Sequence, residues 1–205
     1  MLRKNNPPFL HLWLLMSAFI LLVPCCAMDK NTEDSLNIWY SYTTTQKKVS
    51  VSGVADCYRT ITPDKNAFMQ SDLRAAIKIV DTHATEKKIP FGNIILQSLS
   101  NAPIVKPDVH AEHWRGPTGF HSGLWWRSLN EPERQAYVQG VFWCTKTRNP
   151  ATAHNTKTVK QAIHTLNGWY VIQDENWTDP RSNSRVDVSV IKAMQQTGIL
   201  FIKEK

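Results

Sequence analysis

Two stretches decide how this chain is read: WYSYTTTQKKVSVSGVADCYRT, residues 39–60, and WRSLNEPERQAYVQGVFWCTKT, residues 126–147. Laid over each other without a gap, they match at Trp39 and Trp126, Ser41 and Ser128, Val51 and Val138, and Gly53 and Gly140. They match again at Val54 and Val141, Cys57 and Cys144, and Thr60 and Thr147. Chance at average composition gives roughly one or two identities over such a length. The physical roles also coincide. Thr43 precedes Gln46 by three residues and Asn130 precedes Glu133 by three. That is the spacing of a capping box, in which a side-chain oxygen takes a first-turn N–H and a Glu or Gln reaches back. Pro132 suits the first turn of a helix, where an N–H has no helical partner.

Working outward, Leu73, Ala76, Ile77 and Val80 stand at i, i+3, i+4 and i+7, and Val159, Ala162, Ile163 and Leu166 repeat the pattern. This is the apolar stripe of an amphipathic helix. Ser71 is the expected cap of the first. A third pair of short helices, IPFGNIILQSL at 89–99 and VDVSVIKAMQQ at 186–196, follows in each half. The fold expected is all-α: two tandem pseudo-symmetric three-helix units, about 39–101 and 126–201, packed as one domain over 28–205. A His-rich connector, 102–125, joins them. The alternation of Val49, Val51 and Val54 is the local signal that opposes a first helix and favours a strand.

Glycine inside a helix costs about 1 kcal/mol relative to alanine. A glycine at the same place in both copies therefore points to packing, because a missing side chain lets helices approach. Val49, Gly53 and Cys57 share one helical face, and so do Ala136, Gly140 and Cys144. If the two faces meet near a twofold axis, a Cys57–Cys144 disulfide comes within reach. Buried free thiols are the other reading. A catalytic thiol would need an electropositive setting and a nearby histidine, and nothing places one beside either cysteine.

Residues 1–27 read as a secretory signal peptide: Arg3 and Lys4, then an apolar run at 12–23, then small residues before a cut after Ala27. The apolar run is short for a membrane span, and no span is expected after cleavage. A lipoprotein acylated at Cys25 or Cys26 is the rival reading. Cleavage removes Arg3 and Lys4 and takes the formal charge from +7 to +5. For an exported, periplasmic or secreted chain, a mildly basic surface meets anionic envelope polymers or acidic protein faces, and nucleic acid is not the expected partner.

The connector VHAEHWRGPTGFHSG holds His110, Glu112, His113 and His121, with Trp114 and Arg115 between them. Imidazole and carboxylate are zinc ligands, but the H-E-x-x-H spacing is absent and the prolines and glycines around these residues make a loop. His110, His113, Trp114, Arg115 and His121 are therefore taken first as a binding surface for a protein or envelope polymer. Metal ligation by His110, Glu112, His113 and His121, in a metal-dependent envelope hydrolase, is the alternative. There is no phosphate loop, no G-x-S-x-G elbow and no Cys-x-x-Cys pair, and no cofactor is called for.

The segment YVQGVFWC, followed by the TVKQAIHTL helix and a short terminal helix, resembles small exported bacterial helical proteins such as the type VI secretion amidase-immunity (Tai) family. The resemblance covers one helix-rich unit, or that unit twice. It implies a periplasmic, mostly helical, non-enzymatic protein that binds and blocks a cell-wall-cleaving effector. The closing cysteine pattern of that family is not evident here, and no functional residue is carried over from it.

Overall fold

The structure, a computed structural model, describes residues 30–64, 67–86, 88–105, 121–148, 156–170 and 184–196. Within them the fold is all-α in one domain. The helices are α1 (Lys30–Ser41), α2 (Thr44–Ile61), α3 (Leu73–His83), α4 (Phe91–Asn101), α5 (Gly123–Ser128), α6 (Glu131–Arg148), α7 (Thr156–Tyr170) and α8 (Val186–Gln196). The only pairing of extended residues among these is two isolated antiparallel bridges, Ser71 with Ile104 and Ser122 with Arg185.

The long helices α2 and α6 form the centre. Their middles, 49–57 and 136–145, are buried on every side, which is why neither shows a clean amphipathic stripe. The valine alternation in α2 comes from this all-round burial and not from a strand. Both helices start as the sequence indicates. Thr43 accepts from the Gln46 N–H while Gln46 Oε1 accepts from the Thr43 N–H at 2.9 Å. Asn130 and Glu133 exchange the same two bonds at 3.0 and 2.9 Å. The third cap differs from the expectation. Asp72, not Ser71, caps α3, its Oδ1 accepting from the N–H groups of Arg74 and Ala75, and Ser71 is taken up by its bridge to Ile104.

The glycines explain how α2 and α6 cross. A methyl group added at Gly53 would sit less than 3.0 Å from the Tyr137 carbonyl oxygen, and one added at Gly140 less than 3.0 Å from the Ser50 carbonyl. Each helix thus lays backbone into the notch left by the other's glycine. One turn further along, Cys57 and Cys144 are joined by a disulfide, Cα to Cα 6.2 Å, and both are fully buried.

Helices α3 and α4 pack on each other and on the central pair, and α7 and α8 do likewise. Ala76, Ile77 and Val80 of α3 are buried, as are Ala162, Ile163 and Leu166 of α7. Two helices were not expected. Helix α1 carries Trp39 near its end, and α5 carries Trp126 and takes up the end of the connector. Both indoles are completely buried. Trp39 Nε1 donates to Asp81 at 2.7 Å, and Lys47 bonds the same carboxylate at 2.8 Å. Trp126 Nε1 donates to Asn167 at 3.2 Å, and Arg134 bonds the same oxygen at 3.1 Å. Lys47 lies over the Trp39 ring, and Arg134 over the Trp126 ring.

Candidate functional site

The two ends of the central helix pair are filled differently. Where the C-terminal part of α6 meets α1 and α4, the filling is aromatic. Phe91 packs edge-on against Trp39 and Trp143 at 5.6 and 4.7 Å, and Tyr42 closes on Trp143 at 6.4 Å. Burial alone raises the Tyr42 hydroxyl's pKa far above the ordinary value. Gly92 of α4 fits against the Trp143 carbonyl and Thr147.

Where the C-terminal part of α2 meets α8 and the His121 segment ahead of α5, the filling is charged. Asp56, 1% exposed, sits at the centre. Its Oδ2 accepts from His121 Nδ1 at 2.5 Å and from the Tyr137 hydroxyl at 2.8 Å. Its Oδ1 accepts from Arg59 Nη2. One turn on, Thr60 donates to Asp187 of α8 and accepts from Arg185 Nη2. Arg185 also forks onto Asp187, at 2.8 Å from Nη2 and 3.3 Å from Nε. Asp56 and Asp187 belong to different helices, so this network ties α2, α6 and α8 together.

The electrostatics follow from the contacts. Burial pushes the Asp56 carboxyl up, but His121, Arg59 and the Tyr137 hydroxyl together outweigh it and hold the pKa down at about 2. Asp56 is therefore ionised and can only accept. It follows that His121 Nδ1 carries its proton, which fixes the ring's orientation and leaves Nε2 on the opposite edge. Burial, reinforced by the charges of Asp56 and Asp187, pushes the Tyr137 hydroxyl well above its ordinary value, so it stays a donor. The His121 ring lies against Trp125, centroids 4.0 Å apart, and the Trp125 ring meets Tyr137 at 4.9 Å.

Of the residues singled out from sequence, His121 is brought into this cluster. His110, Glu112, His113, Trp114 and Arg115 lie outside the described residues, as do Cys25 and Cys26. Among the described residues no group of three or more His, Cys, Asp and Glu side chains is arranged to hold a metal ion. No helix among them is long and apolar enough to cross a membrane. Sequence reasoning passed over Asp56, Arg59, Tyr137, Arg185 and Asp187. The available signal was a lone aspartate inside an otherwise uncharged helical run, at GVADC and again at VDVSV. A charge within a buried run needs a partner.

No family model, curated protein or solved structure matches this chain.

Proposed function

We propose that this is an exported, non-enzymatic binding protein of the bacterial envelope, immunity- or inhibitor-like in the manner of the Tai proteins. We read residues 1–27 as its cleaved leader and the two halves as copies of one unit. The observation that carries the proposal is the Cys57–Cys144 bond. Both cysteines outside the leader are consumed in it, which fits an oxidising compartment and leaves no thiol for catalysis. The charged cluster adds to this. Asp56 is satisfied by His121, Tyr137 and Arg59 on both of its oxygens, as expected of a preorganised support and not of a group awaiting substrate. Reciprocal notches at Gly53 and Gly140, matched caps and matched tryptophan contacts support the duplication. Contact is assigned to the connector surface, His110, His113, Trp114, Arg115 and His121. The partner is a protein or an envelope polymer.

A metal-dependent envelope hydrolase using His110, Glu112, His113 and His121 is the second reading. One observation favours it: a carboxylate on one ring nitrogen, as Asp56 is on His121 Nδ1, is the usual way a metal-ligating imidazole is oriented. One experiment separates the two. Tagged protein is exported with its own leader and recovered from the envelope fraction beside a W114A/R115A variant. A partner retained by the wild type and lost with the variant supports binding. No partner, together with bound zinc and turnover of envelope polymer that falls in H113A, supports the hydrolase instead.

A further inference from the structure

The tryptophans among the described residues differ in what becomes of their indole N–H groups. Those of Trp39 and Trp126 are taken by Asp81 and Asn167. That of Trp143 is shut inside the core, and Trp169 stands out from α7, 52% exposed. Trp125 combines a wedged ring with an open N–H. Its ring lies against that of His121 at 4.0 Å, tilted by 36°, and meets Tyr137 at 4.9 Å. Yet Trp125 is only partly buried, and among the described residues its Nε1 has no hydrogen-bond partner and is not closed off from solvent.

His121 Nε2 is in the same position. The side chain is 12% exposed, Nδ1 is committed to Asp56, and Nε2 is open and without a partner among the described residues. At about pH 8 an imidazole ordinarily carries one proton. Here that proton is on Nδ1, so Nε2 offers a lone pair. Both rings are held in place. Asp56, itself bonded by Tyr137 and Arg59, fixes the imidazole. The backbone on either side of Ser122 is pinned as well. The His121 carbonyl accepts from the Val186 N–H at 3.0 Å, and the Gly123 N–H donates to the Ser184 carbonyl at 3.2 Å. A fixed donor thus stands beside a fixed acceptor, and little freedom remains to be lost on binding.

A donor beside an acceptor selects its ligand. A carboxylate offers acceptors only, and an ammonium donors only. A trans peptide group points its C=O and N–H to opposite edges. A primary carboxamide has both on one edge, which is how asparagine and glutamine pair with the donor and acceptor of adenine.

We propose that His121 and Trp125 form a site for the side-chain carboxamide of an asparagine or glutamine on a partner protein. This rests on the binding reading and names the chemistry of the partner. The Trp125 Nε1–H donates to the carboxamide oxygen, and the carboxamide N–H donates to His121 Nε2.

The test uses acetamide as the probe, titrated into the wild-type protein at about pH 8 and followed by NMR. The Trp125 indole N–H and the His121 ring resonances are expected to move together and to saturate, half-way at about 50 mM for so small a ligand. The exposed Trp169 indole is the internal reference and should show only a shallow drift that does not saturate. N-methylacetamide, a trans secondary amide limited to one of the two hydrogen bonds, should bind about tenfold more weakly. W125F keeps a ring against His121 but lacks the N–H, and should weaken acetamide binding by a similar factor. Resonances of His121 and Trp125 that only drift as Trp169 does overturn the proposal. So does acetamide binding by folded W125F equal to that of wild type. Tighter binding of N-acetylglucosamine than of acetamide also overturns it, and turns the site towards envelope glycan. An envelope partner held as well by W125F as by wild type sinks this inference alone. A failure to capture any partner sinks the binding reading beneath it.

Discussion

At Gly140 the absent side chain is what lets α6 touch α2, and Gly53 does the same for α2. An alanine at Gly140 must displace the Ser50 backbone, which has no flexible end to yield. Gly140→Ala is expected to cost about 3 kcal/mol, as overpacking does when the helices are forced apart. Gly53→Ala should lose a comparable amount. Gly168 is the internal control. It is exposed in α7, and a methyl group there meets nothing within 4 Å, so Gly168→Ala should gain up to about 1 kcal/mol. Urea melts of the three variants check all of this, and equal effects at Gly140 and Gly168 would contradict it. Asp56 supplies a second expectation. Its folded pKa of about 2 lies below the ordinary 3.8. The stabilisation is therefore present in full above about pH 4 and is lost as the pH falls towards 2, a change of about 2 kcal/mol. Asp56→Asn should flatten that slope between pH 4 and 2 and lower stability at neutral pH by about 3 kcal/mol, because Arg59 is left buried without its carboxylate.

At the scale of elements, what the sequence makes legible is what local chemistry dictates. The capping boxes, the stripes of α3 and α7 and the paired glycines were readable because each rests on a few neighbouring residues. Helices α1 and α5 were not. Each is held by one buried indole whose partner lies about forty residues away, Asp81 for Trp39 and Asn167 for Trp126. The same limit hid most of the charged cluster. Asp56 and Tyr137 are 81 residues apart, and no spacing rule joins them. Its one legible member, His121, stood out through the company of His110 and His113, which lie outside the described residues. The indole anchors can be tested directly. Asp81→Ala and Asn167→Ala each strand a buried Nε1–H and should each cost about 1–3 kcal/mol. Hydrogen exchange should localise the loosening to α1 in the first variant and to α5 in the second. Loosening spread evenly over both halves would contradict the assignment.

At the scale of the whole molecule, one covalent bond ties the two halves at their crossing. Cys57 and Cys144 are separated by 87 residues, and closing a loop of that length removes unfolded-state entropy worth about 4–5 kcal/mol. Reduction under denaturing conditions, followed by alkylation, should prevent much of the protein from refolding. That bond also carries the functional proposal, since it fits passage through an oxidising compartment, for which the leader proposed at 1–27 would be the route. Intact-mass measurement on protein recovered from the envelope fraction, alkylated without reductant, tests both together. The expected species is a chain lacking residues 1–27, lighter by two hydrogens than its reduced form and carrying no alkyl label. A chain that keeps residues 1–27, or one that takes up alkyl groups at Cys57 and Cys144, would contradict it.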